Sequence, residues 1–308
     1  MNGRRMSAVE WGLLLALAAA WGGIFLLNRF VLDGFPPLTA VFLRVALAAP
    51  LLLAVVHLDG ERLPRSLGAW SAFAVMGFLN NALPFTLFVW AQQSITSGLA
   101  AIINATTPFF TALLAHLLTR DERLAPGKLA GLLLGLAGVI VLIGPGVLGG
   151  LGRAVVAELV LLLAPVSYAF AGLWGRRFRP LSSSVAACGM VLTSTVMMAP
   201  VAALHDHPWT LAPSMRAWGA VAAQAAVGTA LAYWLYFRIL RTAGATNLLL
   251  VTLLMPPAAM LLGALILGER FGWSAFAGLG FIFLGLAAID GRVIEALRRP
   301  VRQLLTAK

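Results

Sequence analysis

Ten apolar stretches follow one another along the chain, parted by short breaks rich in charge, proline or glycine. They fall at 11–29, 38–57, 68–90, 96–118, 127–145, 154–174, 183–204, 216–237, 245–267 and 272–290. About 20 mostly apolar residues carry a helix across the hydrocarbon core of a bilayer. The pattern therefore predicts an all-α membrane protein with ten transmembrane helices. It leaves no length for a soluble catalytic or regulatory domain. The break at Gln92 to Ser97 is polar rather than charged, but 68–118 is too long for a single span.

Composition agrees. Hydrophobic residues make up 61% of the chain and charged residues 11%, against about 25% charged in a soluble domain. Lipid takes the place of a core for so much apolar surface. A net charge of +11 would suggest nucleic acid in a soluble protein. Here the basic residues sit between the apolar segments, where they orient a membrane protein, and no nucleic-acid partner is expected. The one cysteine, Cys188, rules out an internal disulfide or a multi-cysteine metal site. His57, His116, His205 and His207 have no metal-ligand spacing, and no metal or cofactor is expected. Arg4 and Arg5 ahead of an apolar run imitate a signal peptide. The run continues to Leu27 and others follow, which favours an uncleaved first helix.

Alternating the loops between two sides gives one side 17 of the 22 basic residues, including Arg4, Arg62, Arg120, Arg176, Arg179, Arg238 and Arg298. The other side receives four, Arg29, Arg153, Arg216 and Arg270, and Arg44 falls within a span. Basic loops stay inside, so both termini are expected in the cytoplasm of a multi-pass inner (plasma) membrane protein.

The two halves resemble each other. Pro108 is followed by Glu122-Arg123, then Gly131 and Gly138; Pro256 is followed by Glu269-Arg270, then Gly278 and Gly285. Trp21 and Arg29 stand eight apart, as do Tyr168 and Arg176. Five spans per half is an odd number, so the halves, 11–146 and 154–290, are expected as inverted repeats ahead of a basic tail, 291–308. Inverted repeats are the architecture of alternating access.

The Trp21-Gly22-Gly23 start, Pro36-Pro37 before Leu43-Arg44, and the run from Thr107 to Leu114 with Glu122-Arg123 resemble the EamA family of the drug/metabolite transporter superfamily. Gly244-Ala245-Thr246, Pro256 and Leu267-Gly268-Glu269 repeat the pattern in the second half. The resemblance covers roughly residues 11 to 290. It implies a central cavity lined mainly by helices 1–4 and 6–9, with helices 5 and 10 outside it, and the export of metabolites, amino acids prominent among them. The first half reads Arg120-Asp121-Glu122, which leaves either Asp121 or Glu122 as the equivalent acid.

Polar residues at lipid depth face a cavity or a partner helix. Asn80 and Asn81, with Gly228 and Thr229 at the corresponding place, read either as substrate contacts or as interhelical glue. Asn104, its counterpart Thr252, and Thr107 read the same way. Trp21 and Tyr168 are nearer mid-span than the usual interfacial anchors and belong to a cavity wall or to packing. Pro108 and Pro256 interrupt the backbone ladder and mark either a gate or a fixed kink. Arg44 lies in the outer half of its span and reads either as a structural partner of Glu158 or as a partner of a substrate carboxylate. No carboxylate sits mid-membrane, which favours facilitated transport over proton coupling. Gly144 to Gly149 matches a dinucleotide fingerprint, but it ends a membrane helix without a preceding strand.

These residues predict an exporter of amino acids or related metabolites, as monomer or homodimer in the lipid bilayer. Alternatives are an exporter of drugs, quaternary cations or nucleosides on the same fold, a passive channel, and a membrane-embedded enzyme, for which no catalytic cluster is visible.

Overall fold

Ser7 starts the first helix with a capping box: its hydroxyl accepts the Glu10 N–H at 3.3 Å and its own N–H donates to the Glu10 carboxylate at 2.7 Å. Such reciprocal caps satisfy donors that a helix start would otherwise leave bare. The computed structural model describes residues 6–118, 126–148, 152–248 and 250–290. The expected roles of Arg120, Asp121, Glu122 and Arg123, and of the 291–308 tail, lie outside the described residues.

Within them the chain forms helices α1 (Ala8–Leu32), α2 (Pro37–Leu58), α3 (Leu67–Ala91), α4 (Ser97–Leu118), α5 (Pro126–Leu148), α6 (Arg153–Phe178), α7 (Ser183–Asp206), α8 (Met215–Leu240), α9 (Val251–Leu267) and α10 (Trp273–Asp290). Seven of these, α1 to α4 and α6 to α8, are long and apolar enough to cross a membrane. The others carry shorter apolar runs, Leu129–Ile143, Val251–Leu267 and Trp273–Ala288. In α9 the expected 245–267 stretch is divided, because a one-turn helix, Ala245–Leu248, precedes the main helix.

Local chemistry explains two irregularities. Pro84 has no N–H to give the Asn80 carbonyl, and the preceding segment Phe78–Ala82 opens into a π turn, with the Leu83 N–H reaching back to Phe78. In α4, Pro108 withdraws the N–H that would bond the Asn104 carbonyl. The Thr107 hydroxyl donates there instead, at 2.7 Å, and the helix is interrupted between Asn104 and Thr107. Pro256, the counterpart of Pro108, sits inside α9 without breaking it. A second π turn, Ala226–Leu231, occupies the place in α8 that Phe78–Ala82 holds in α3.

Packing repeats under the exchange of α1 to α5 with α6 to α10. The α2 and α7 helices pack on each other, as do α5 and α10; α1 packs on α9 as α6 packs on α4. Two apolar clusters result, one centred on α1, α4 and α9, the other on α2, α3 and α7. Tyr168 touches both. Outward faces stay apolar: Ile140 is 61% exposed and Leu265 is 74% exposed, surfaces that water would disfavour and lipid accepts.

Candidate functional site

Between the two clusters lies a cavity of about 610 Å³, within the roughly 300–1,000 Å³ range of small-molecule sites. Its walls come from α1 to α4 and α6 to α9; α5 and α10 contribute nothing among the described residues. One end opens where α6 passes into α7, at Gly175, Phe178, Arg179, Leu181 and Ser183.

Seven of the expected site residues line the cavity: Trp21, Asn80, Asn104, Thr107, Tyr168, Thr229 and Thr252. Trp21 lies against Tyr236 with ring centroids 5.9 Å apart, and Tyr168 stacks on Phe88 at 6.3 Å. The Asn80 amide donates to the Tyr233 hydroxyl at 3.3 Å.

Asn81 differs from its neighbour. It is fully buried, outside the lining, and donates to Ser194 Oγ at 3.0 Å. Ser194 in turn donates to the carbonyls of Met190 at 2.6 Å and Gly77 at 3.1 Å. Asn81 thus ties α3 to α7. Asn81→Leu is expected to lower stability by roughly 1–3 kcal/mol, the usual cost of orphaning buried polar groups. Asn80→Leu should leave thermal unfolding in detergent nearly unchanged while weakening transport.

Arg44 joins the cavity wall, whereas Glu158, Pro108 and Pro256 do not. Among the described residues no ion pair links Arg44 to Glu158. The guanidinium instead lies 3.7 Å from the centre of the Phe85 ring, and Nε points to Thr229 Oγ1 at 3.4 Å. The expected pairing rested on similar depth along two helices. Depth does not fix the direction in which a side chain leaves its helix.

The opposite end of the cavity is sealed by groups the sequence did not single out. Asn28 donates to Gln92 at 2.5 Å, Gln224 donates to Asn28 at 2.6 Å, and Gln92 donates to the Phe25 carbonyl at 2.7 Å. All three side chains are at most 1% exposed. Arg29 adds a bond to the Gln92 carbonyl at 2.6 Å, and the Thr229 hydroxyl donates five residues back to the Gln224 carbonyl at 3.1 Å.

Two carboxylates reinforce that end. Asp206 accepts from the N–H and the hydroxyl of Thr39, at 2.7 and 3.0 Å. Gly268, at φ +65°, ends α9 in a left-handed turn that suits glycine. Glu269 then reaches the start of α4, accepting from Ser97 N at 2.7 Å, Ser97 Oγ at 2.9 Å and Gly98 N at 3.2 Å. Each carboxylate sits at a helix N-terminus, where the free N–H groups and the dipole favour negative charge. Each also joins the first half of the chain to the second.

A cavity closed at one end by polar ties and open at the other suits a carrier, and known proteins agree. The profile of the EamA-like transporter family matches residues 10–144 and again 155–289. Over 281 residues the chain is 28% identical to the uncharacterized inner membrane transporter YedA of Escherichia coli (strain K12), spanning 91% of this chain and 90% of that protein. It is also 28% identical to a probable amino-acid metabolite efflux pump of the same strain, spanning 91% and 94%. The S-adenosylmethionine/S-adenosylhomocysteine transporter of Chlamydia trachomatis serovar D is 28% identical, spanning 90% and 88%. One crystal structure shares the fold with a TM-score of 0.67 at 19% identity, covering 92% of this chain and 98% of that one. With one match over α1 to α5 and another over α6 to α10, the chain belongs to the EamA-like transporter family.

Proposed function

We propose that this membrane transporter exports amino acids or related small metabolites by alternating access. In this reading α5, α9 and α10 also cross the bilayer, making ten spans in two inverted repeats, 11–146 and 154–290. The basic-residue bias puts both termini and the α6–α7 connection on the cytoplasmic side of an inner membrane. The cavity is then open to the cytoplasm and closed to the outside.

One observation carries the reading: a central cavity has aromatic, amide and hydroxyl walls, and is sealed at one end by the Asn28–Gln92–Gln224 network. Amide and hydroxyl groups suit a polar head, and Trp21, Phe85, Phe88 and Tyr168 suit an apolar body. The names of the efflux-pump and S-adenosylmethionine relatives point the same way. With no carboxylate among the described lining residues, transport runs down the substrate gradient rather than on protons.

Counterflow in proteoliposomes tests this, using labelled amino acids, nucleosides and quaternary amines. Amino acids are expected to exchange without an imposed pH gradient. Exchange of the amines alone would sink the amino-acid reading.

A further inference from the structure

Arg44 is 6% exposed and lines the cavity. A buried guanidinium is costly unless an anion compensates it. Among the described residues it has no carboxylate partner. Its neighbours are the Phe85 ring, the hydroxyls of Tyr168 and Tyr233, and the neutral Thr229 hydroxyl, to which it makes one bond at the outer limit of hydrogen-bond length. Guanidinium offers five N–H donors in a planar fork that fits a carboxylate, and its terminal nitrogens have no protein acceptor among the described residues.

The mouth repeats the sign of the interior: Arg179 stands there, and the described lining contains no acid. Cations are disfavoured along the route, and anionic groups are drawn in.

We propose that Arg44 is the head-group subsite for the carboxylate of an amino-carboxylate cargo, its guanidinium fork pairing with that carboxylate. Arg44 is then a specificity residue rather than a structural ion-pair member. The subsite rests on the transport reading above and names the chemistry of its cargo.

The test is competition against labelled phenylalanine counterflow, using phenylalanine, 3-phenylpropionate, phenylalaninamide and phenethylamine. The last three keep the body of phenylalanine and remove, in turn, the ammonium, the carboxylate charge and the carboxylate. Phenylalanine and 3-phenylpropionate should both compete, with the two amines weaker by at least about tenfold, the scale for leaving a buried charge unpaired. Arg44→Gln should erase the preference for a carboxylate. Arg44→Lys should keep the order at reduced affinity, which covers the case in which Arg44→Gln does not fold. Wild-type protein that takes phenethylamine as well as phenylalanine, or an Arg44→Gln protein that still prefers carboxylates, overturns the subsite and leaves the transporter reading standing. Exchange of nucleosides with none of the four recognised overturns the subsite and the amino-acid reading together.

Discussion

Gly138→Ile is expected to lower the yield and the thermal unfolding temperature of the detergent-purified protein, with a loss of about 3 kcal/mol, the upper range for forcing bulk into a packed interface. The reason is backbone-to-backbone contact between α5 and α10. A Cβ on Gly138 would stand 2.8 Å from the Gly278 carbonyl oxygen, and one on Gly278 would stand 2.9 Å from that of Gly138. One turn-pair further along, a Cβ on Gly285 would meet the Gly131 oxygen at 2.6 Å and the Gly135 nitrogen at 2.8 Å. Two glycines seven residues apart on α5 therefore meet the corresponding two on α10. Small residues let helix backbones approach in lipid, where packing takes over from hydrophobic drive. Since α5 and α10 stand outside the cavity, the surviving protein should keep its substrate preference. Gly12→Ala is the control: a Cβ there has nothing within 4 Å, and no change in unfolding is expected.

The second large effect is expected at Gln92. Gln92→Leu removes the acceptor of the Asn28 amide and the donor to the Phe25 carbonyl, inside a site that water does not reach. Orphaning these groups costs roughly 2 kcal/mol. Most of that falls on the conformation in which the network is assembled, a roughly 30-fold shift in the balance between the two cavity openings. Counterflow should slow by about an order of magnitude while the protein still inserts in the membrane. An unchanged rate would mean that the network merely fills space.

Much of the fold is legible from residue order. The second apolar stretch, expected at 38–57, becomes α2 at Pro37–Leu58 because Pro36-Pro37 and Asp59-Gly60 punctuate it on both sides. The cavity is less legible. Phe85, Phe88 and Met255 line it, yet as apolar residues in apolar helices they read no differently from lipid-facing neighbours. Asn80 and Asn81 are adjacent, and the π turn that contains both shifts the faces that α-helical spacing would assign. Gln92 was part of a break between helices. Its importance comes from Asn28 and Gln224, whose 196-residue separation leaves no local trace. Two signals were available: amide side chains within otherwise apolar segments, and an arginine inside a span with no acid on its own helix.

Alternating access is tested most directly by one reporter cysteine, Ile24→Cys on the cavity wall, in a protein whose buried Cys188 is replaced by alanine. A membrane-impermeant maleimide is applied separately to each face of oriented proteoliposomes. Without substrate, labelling is expected from the side of the α6–α7 connection. Saturating substrate should lower labelling from that side and raise it from the other. Labelling that rises from both sides together, or that never appears from the side sealed by Asn28, Gln92 and Gln224, would contradict alternating access.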